Sequence, residues 1–325
     1  MACLAFLYFQ FSTLNSAQAQ DIHFSQTDIN PILFNPAYSG FFDGTGRFGL
    51  VYRNQWASVS KAFQTIAATA ECSLLRRRYY GDGLSFGAIL YSDRAGTLQY
   101  GTSAANLILS YFKSIGTSNN NFISFAAEVG LGQAGFNTSD ILLEDPTDDF
   151  SRQSAGYVAL GCGAAWFYQP NDDCYFKLGL SARNINRPNI SYLDGDSAFI
   201  ERKFTAYTRA EFRTWGDISL MPIAAAMVQK NYTEALFGCD VKWYLSESAD
   251  QRISFSWGLH YRWRDAATVE MTAEYNAFLF ALTYDANLSK LTPASHSFGA
   301  FEIAIIYRLA TNKRIRRAAM PCPIM

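Results

Sequence analysis

One short motif in the sequence has the residue types and spacing of a catalytic site. The stretch Gly83-Leu84-Ser85-Phe86-Gly87 matches G-x-S-x-G, which in α/β-hydrolases places a nucleophilic serine on a sharp turn between a strand and a helix. Here the motif lies inside an alternating, strand-like stretch with no helical pattern after it, and the chain has only three histidines. We therefore interpret the motif as part of a strand and predict no catalytic residue.

Cysteines and acidic residues give no recognisable metal or redox motif either. The six cysteines contain no C-x-x-C pair, so their spacing predicts no zinc or redox site. The acidic stretch 137–155 has carboxylates that would suit calcium, but its spacing fits no calcium-loop motif. A solvated acidic loop is the favoured alternative, and a surface for a partner is the other. We predict no cofactor and no metal.

Charged residues recur instead on one face of predicted strands. Arg47 and Arg53 alternate with the apolar residues Phe48 and Leu50, which point the other way, and Ile253 to Arg262 shows the same alternation. A polar face of this kind would be costly in the core of a soluble sandwich, whereas a membrane barrel is apolar outside and polar inside. The inward charges could line a path for a solute, but pairing across strands is the favoured interpretation. They are Arg47, Arg53, Glu71, Glu128, Lys177, Arg183, Arg209, Glu211, Asp240, Lys242, Arg262, Glu270, Glu274 and Glu302.

The alternating stretches predict an all-β fold, a transmembrane antiparallel β-barrel of about 14 strands. An even number of antiparallel strands lets the last strand pair with the first and leaves no exposed edge in lipid. We predict this closure near Arg47, Arg53, Asn54, Gln55, Trp56, Glu302 and Arg308, with Glu302 close to Arg53. The strands are placed near 47–56, 62–73, 82–93, 97–112, 121–136, 156–168, 174–184, 203–214, 217–229, 232–244, 253–263, 267–275, 277–286 and 298–309.

Composition agrees with a barrel and excludes some other classes. The chain is 49% hydrophobic, 16% aromatic and 17% charged, and its net charge is -1. A surface that binds nucleic acid would be basic, so no nucleic-acid partner is expected. The aromatic residues suit the belts at the two lipid–water interfaces, and alternating strands explain the mean hydropathy of -0.04.

An irregular segment precedes the first strand. Asn30-Pro31, Asn35-Pro36-Ala37 and Gly40 interrupt any helix or ladder, because proline lacks a backbone donor and restricts the residue before it. We expect residues 20–46 to form a plug-like periplasmic segment that enters or caps the periplasmic mouth. Residues 1–19 read as an export signal, since an apolar run is followed by Ala17-Gln18-Ala19. The barrel is placed at 47–309, and 310–325 is expected to be a basic periplasmic tail.

Several of these stretches, taken in order, resemble the PorP/SprF family of Bacteroidetes outer-membrane proteins. They are the start QDIHFSQ, then NPILFNPAYSG and RFGLVYRNQW, followed by 261–266, 284–291 and the closing stretch 299–309. The resemblance covers nearly the whole chain after the signal. It implies an outer-membrane protein of type IX secretion or of the linked gliding machinery.

From that resemblance we expect a non-enzymatic component that helps to secrete or anchor a cell-surface protein. Its expected partners are that surface protein, as cargo or adhesin, periplasmic type IX components and outer-membrane lipid. The alternative is an outer-membrane channel for hydrophobic solutes, similar to FadL-type barrels in its strand number and in an Asn-Pro-Ala before the first strand. A transporter needs an apolar pocket or a lateral opening, while a scaffold can have a filled lumen.

Overall fold

A computed structural model describes most of the chain. The described residues are 22–42, 44–55, 63–74, 82–96, 100–116, 120–136, 154–191, 198–248, 251–288 and 298–309. The expected export signal, the tail 310–325 and most of the acidic stretch 137–155 lie outside these ranges.

The fold is a closed barrel of fourteen antiparallel strands, which confirms the predicted fold class. Each strand pairs with its neighbours along the chain, and the first strand also pairs with the last. The strands are β1 Gly46–Gln55, β2 Phe63–Leu74, β3 Asp82–Ala95, β4 Tyr100–Ser114, β5 Asn121–Gly135, β6 Ser154–Asn171, β7 Cys174–Arg183, β8 Lys203–Trp215, β9 Ile218–Gln229, β10 Tyr232–Glu247, β11 Arg252–Arg262, β12 Ala266–Tyr275, β13 Phe278–Asn287 and β14 Phe298–Leu309.

The closing ladder joins β1 to β14 along the whole of β1. It begins with Gly46 opposite Leu309 and ends with Gln55 opposite Ala300. Both strands therefore have a partner on each side, and no ladder edge is left facing lipid.

Alternation gives the wall two different faces. On β1, Leu50 points outward and is 47% exposed, while the next residue, Val51, points into the lumen and is 1% exposed. Trp166 and Trp243 are exposed outside near one end of the barrel, and Trp263 near the other. Such rings suit the two lipid–water interfaces, so the outer face is that of a membrane barrel.

The two ends of the barrel carry different connections. We call the end where β1 begins and β14 finishes the proximal end, and the opposite end the distal end. The connections 136–153 and 184–202 are distal, while 172–173 and 216–217 are short proximal turns. Outer-membrane barrels have short periplasmic turns and longer external loops. By this pattern we expect the proximal end to face the periplasm.

Helical structure among the described residues is limited to two short 3-10 turns, Pro31–Leu33 and Pro36–Tyr38. No helix in the described ranges has the length and apolar character needed to cross a membrane.

The closing register predicts which introduced cysteines will react with each other. In a chain whose native cysteines are replaced by serine, Leu50→Cys combined with Ile305→Cys should form a disulfide, because residues 50 and 305 lie opposite each other. Leu50→Cys with Leu282→Cys is the control, since β13 is separated from β1 by β14. Non-reducing electrophoresis and peptide mapping measure the bond. Equal oxidation of both pairs, or of neither, would contradict the register.

Candidate functional site

The described residues of the N-terminal segment, 22–42 and 44–45, run through the lumen from the distal end to the proximal end. At the distal end, the Ile22 carbonyl accepts a hydrogen bond of 3.0 Å from Lys203, the first residue of β8. At the proximal end, the Phe41 ring stacks on Phe167 at a centroid distance of 3.5 Å. The segment thus occupies the interior of the barrel and is more than a cap at one mouth.

Ser25 lies at the centre of a buried polar cluster near the distal end. Its N–H donates to the Glu302 carboxylate at 2.6 Å, and its hydroxyl donates to Asp285 at 2.6 Å. The same hydroxyl accepts from Arg53 at 2.8 Å and from Arg262 at 2.5 Å. Arg53 also forms ion pairs with Glu302 and, at 3.2 Å, with Asp285. This cluster, the distal clamp, joins the segment to four strands, two of which close the barrel.

Asp28 carries the segment's own negative charge into the middle of the lumen. It forms an ion pair with Lys177, accepts a hydrogen bond of 2.8 Å from the Tyr207 hydroxyl, and lies 3.2 Å from Arg209. The carboxylate of Asp28 therefore faces two cations of the barrel wall.

The proximal end of the segment is held by apolar contacts. Phe41 packs edge-on against Phe112 and Phe122, at centroid distances of 5.1 and 6.1 Å, in addition to its stack on Phe167. The side chains of all four rings are buried. Aromatic contacts of this kind contribute beyond their buried area, so this aromatic cluster fixes the segment where it turns into β1.

The barrel wall has a place shaped for the predicted Asn-Pro-Ala motif. Asn35 accepts from the N–H of Ala37 at 2.9 Å, which caps the turn begun by Pro36, and donates to the carbonyls of Ala164 and Leu180 at 3.0 and 3.2 Å. A Cβ on Gly163 would lie 2.1 Å from the Asn35 side-chain oxygen. Only a residue without a side chain fits there.

The other motif residues also contact the wall. Asn30 donates to the Thr69 hydroxyl at 2.8 Å, and Pro31 begins the first 3-10 turn. Gly40 has a φ of 87°, which favours glycine, and its N–H donates to Glu71 at 3.2 Å. The structure therefore places all six motif residues predicted from the sequence in the lumen.

The predicted closure residues divide into two groups. Arg53 lies opposite Glu302, and the two form the ion pair of the distal clamp. Arg47 and Arg308 also lie opposite each other, so two like charges meet at the closing ladder. Each is neutralised by a different strand, since Arg47 is 2.7 Å from Glu71 and Arg308 forms an ion pair with a β12 carboxylate.

The remaining closure residues lie at the distal end of β1. Gln55 accepts a hydrogen bond of 3.3 Å from Arg53, whereas the Asn54 amide donates to the Tyr52 hydroxyl at 3.3 Å. Trp56 lies outside the described residues. Gln55 thus extends the distal clamp, and Asn54 contacts its own strand.

Other inward charges connect the wall to the segment and to each other. Arg183 lies 3.0 Å from Glu128 and donates to the segment carbonyls of Ile32, at 2.8 Å, and Leu33. Beside the segment, a cavity of about 40 Å³ has room for a few water molecules. Both charged and apolar side chains line this cavity.

Ser85, from the catalytic-like motif, is one of the wall contacts. Its side chain is fully buried, lies 2.8 Å from the Ser39 hydroxyl and donates to the Cys72 carbonyl at 3.1 Å. The contact with Ser39 joins the segment to β3, so the Ser85 side chain has a structural role.

Sequence reasoning missed Ser25 and Asp28, two segment residues that each bind several polar side chains of the wall. Their partners come from strands far away in sequence, so neither pattern nor spacing could reveal them. One signal was present: Asp28 is the only acidic residue between 22 and 42.

Fold and site together define an outer-membrane β-barrel whose lumen holds its own N-terminal segment. The sequence also matches the profile of the type IX secretion system membrane protein PorP/SprF over residues 16–307. Because this match covers most of the chain, the protein belongs to the PorP/SprF family.

The solved structures that are similar to this chain share little sequence with it. The toluene transporter TbuX of Ralstonia pickettii has a TM-score of 0.47 and 12% identity, covering 87% of this chain and 94% of that one. The toluene transporter TodX of P. putida has a TM-score of 0.46 and 8% identity, with coverages of 87% and 95%. CdiB from Escherichia coli has a TM-score of 0.49 and 8% identity, with coverages of 81% and 63%. The comparison with curated proteins gave no match.

The position of Asp28 between two cations leads to a stability prediction. Asp28→Asn should lower the free energy of unfolding by about 3–5 kcal/mol, because it removes a buried carboxylate that pairs with both Lys177 and Arg209. Denaturant unfolding in detergent, followed by tryptophan fluorescence, measures this change.

Asp217→Asn is the matched control. Asp217 has a side chain that is 71% exposed and lies 3.4 Å from Arg213. A surface pair of this kind contributes little, so the change should stay within about 0.5 kcal/mol. If Asp28→Asn were as mild as this control, the segment would not be held by the charge of Asp28.

Proposed function

We propose that this protein is a non-enzymatic outer-membrane component of the type IX secretion and gliding machinery that helps to secrete or anchor a cell-surface protein. Membership of the PorP/SprF family supports the secretion role. The observation that supports a role other than a channel is the course of the N-terminal segment, whose described residues contact the lumen wall from the distal end to the proximal end.

The contacts of the segment favour a plug. Its distal part is held by buried carboxylates and guanidinium groups, its middle by Asp28, and its proximal part by the aromatic cluster around Phe41. Removing one member of a buried ion pair is strongly destabilising, so the segment would not leave the lumen readily. A barrel occluded in this way suits a scaffold that holds a partner better than a path for diffusing solutes.

The distal connection 184–202 offers a candidate contact surface for a secreted partner. In its described part, Asn189 forms an isolated antiparallel β-bridge with Phe199. Ile190 and Ile200 are buried against β5 and β6. Arg187 packs over the Phe199 ring at 5.1 Å. The described part of the connection is therefore folded onto the barrel, and the exposed Phe199 ring and the Arg187–Glu201 ion pair would be available to a partner.

The tail 310–325, which lies outside the described ranges, is proposed as the periplasmic contact. It continues from Leu309 at the proximal end and carries Lys313, Arg314, Arg316 and Arg317. Acidic surfaces of periplasmic type IX components are the partners its charge would suit.

Deletion tests the plug. Removing residues 24–40 should raise single-channel conductance in planar bilayers, because most of the material that fills the lumen is lost. A variant shortened in the distal connection 289–297 serves as the control and should conduct like the parent protein. Unchanged conductance after the 24–40 deletion, with the barrel still heat-modifiable on gels, would remove the plug proposal.

Affinity purification tests the secretion role. A tagged protein, isolated from detergent-solubilised outer membranes of its host, should bring with it a large secreted surface protein and periplasmic machinery. Deleting the gene should impair surface-protein secretion or spreading. Recovery of the protein alone, with secretion and spreading intact and growth on long-chain lipid impaired, would favour the hydrophobic-solute channel.

A further inference from the structure

One carboxylate in the lumen has no ion-pair or hydrogen-bond partner among the described residues. It belongs to Glu270, in the middle of β12, which points into the barrel and is 5% exposed. Glu270 also lines the cavity beside the N-terminal segment. We propose that this cavity binds a small monovalent cation, of the size of Na⁺ or K⁺, with the Glu270 carboxylate as its charged ligand. The inference does not depend on the secretion role.

A second carboxylate, that of Asp240, lies beside Glu270. Gly258 on β11 is opposite Asp240 on β10 and opposite Glu270 on β12. A Cβ on Gly258 would overlap the Asp240 Oδ1 atom, so the Asp240 carboxylate occupies the space over this glycine. Arg209 lies 2.8 Å from the Asp240 carboxylate, and the His260 ring is 2.7 Å from it. Asp240 is thus satisfied, whereas the neighbouring Glu270 is not.

The charges in the middle of the lumen leave one carboxylate over. Asp28 pairs with Lys177 and with Arg209. Arg209 also pairs with Asp240. When Glu270 is counted, two cations face three carboxylates, and a buried charge without a counter-charge is costly. An ion of one positive charge would balance the group. The described residues contain no group of three His, Cys, Asp or Glu side chains that could hold a metal ion, which favours a monovalent over a divalent cation.

Cations that line the same cavity pair with another acid. Lys242 lies 3.7 Å from Glu274, and Arg308 also forms an ion pair with Glu274. Glu274 is four residues beyond Glu270 on β12, toward the proximal end. The cavity also reaches Phe42, where the segment approaches β1. A small ion would therefore enter from the proximal mouth and find Glu270 at the inner end of the cavity.

Hydroxyl groups beside Glu270 would supply further oxygen ligands. Thr272 shares the inward face of β12 with Glu270, and its hydroxyl is hydrogen-bonded to that of Ser256, which lies opposite. Both hydroxyl residues line the cavity. The Thr283 hydroxyl, opposite Glu270 on β13, is buried and has no hydrogen-bond partner in the described part of the chain. Hard cations prefer oxygen ligands, and water molecules held in the cavity would complete the coordination.

Thermal unfolding of the full-length protein in detergent tests the site. The midpoint should rise by a few degrees, and then saturate, as N-methylglucamine chloride is replaced by NaCl or KCl at constant ionic strength. A bound ion stabilises the folded state, and the organic cation is too large for the cavity. Glu270→Gln should remove this dependence. Glu247→Gln is the matched control and should keep it, because the Glu247 side chain is 30% exposed at the proximal end of β10.

Sodium NMR detects the ion itself. The sodium line should be broader with the parent protein than with Glu270→Gln, and added potassium should sharpen it by competition. If Glu270→Gln does not fold, Thr272→Val keeps the carboxylate, removes one hydroxyl ligand and should weaken sodium binding several-fold. A midpoint and a line width of the parent protein that do not respond to sodium would contradict the proposal. An infrared band of a protonated carboxylic acid that is lost in Glu270→Gln would also contradict it, because a proton would then occupy the place of the cation.

Discussion

The architecture depends on one constraint, that backbone polar groups cannot remain unpaired in lipid. The fourteen antiparallel strands satisfy this constraint only because β1 and β14 pair along the whole of β1, which leaves no strand edge unpaired. Closure in turn puts one face of every strand inside, where charges are removed from bulk water. Charged side chains inside the barrel must therefore pair with each other. Arg47 and Arg308, which lie opposite each other on β1 and β14, show this, because Arg47 pairs with Glu71 on β2 and Arg308 with Glu274 on β12.

The N-terminal segment completes this neutralisation. Asp28 lies between Lys177 and Arg209, and Ser25 supplies an N–H and a hydroxyl to carboxylates and guanidinium groups of the wall. Ion pairs of this kind bring little net stability over an apolar filling, but they penalise any arrangement that leaves a charge alone. The segment is therefore placed specifically, and the wall glycine at residue 163 leaves space for it.

Much of the fold could be predicted from the sequence because strand alternation is a local signal. The strand count, the closure and the inward position of Arg53 and Glu302 all follow from a period of two residues and an even number of strands. The route of the segment could not be predicted, because proline turns at residues 31 and 36 indicate irregular structure without a direction. The sequence suggested only that the segment enters or caps one mouth, whereas contacts with Lys203 and Leu309 place its ends at opposite mouths.

Hydrogen–deuterium exchange of the protein in lipid nanodiscs tests the central claim, that residues 22–42 occupy the lumen, most directly. The N–H groups of Ser25 and Gln26 are bound to Glu302, and that of Gly40 to Glu71. Peptides covering these residues should exchange as slowly as barrel-strand peptides, because their amides are buried and bonded. Exchange as fast as that of a free peptide with the same sequence would contradict the account.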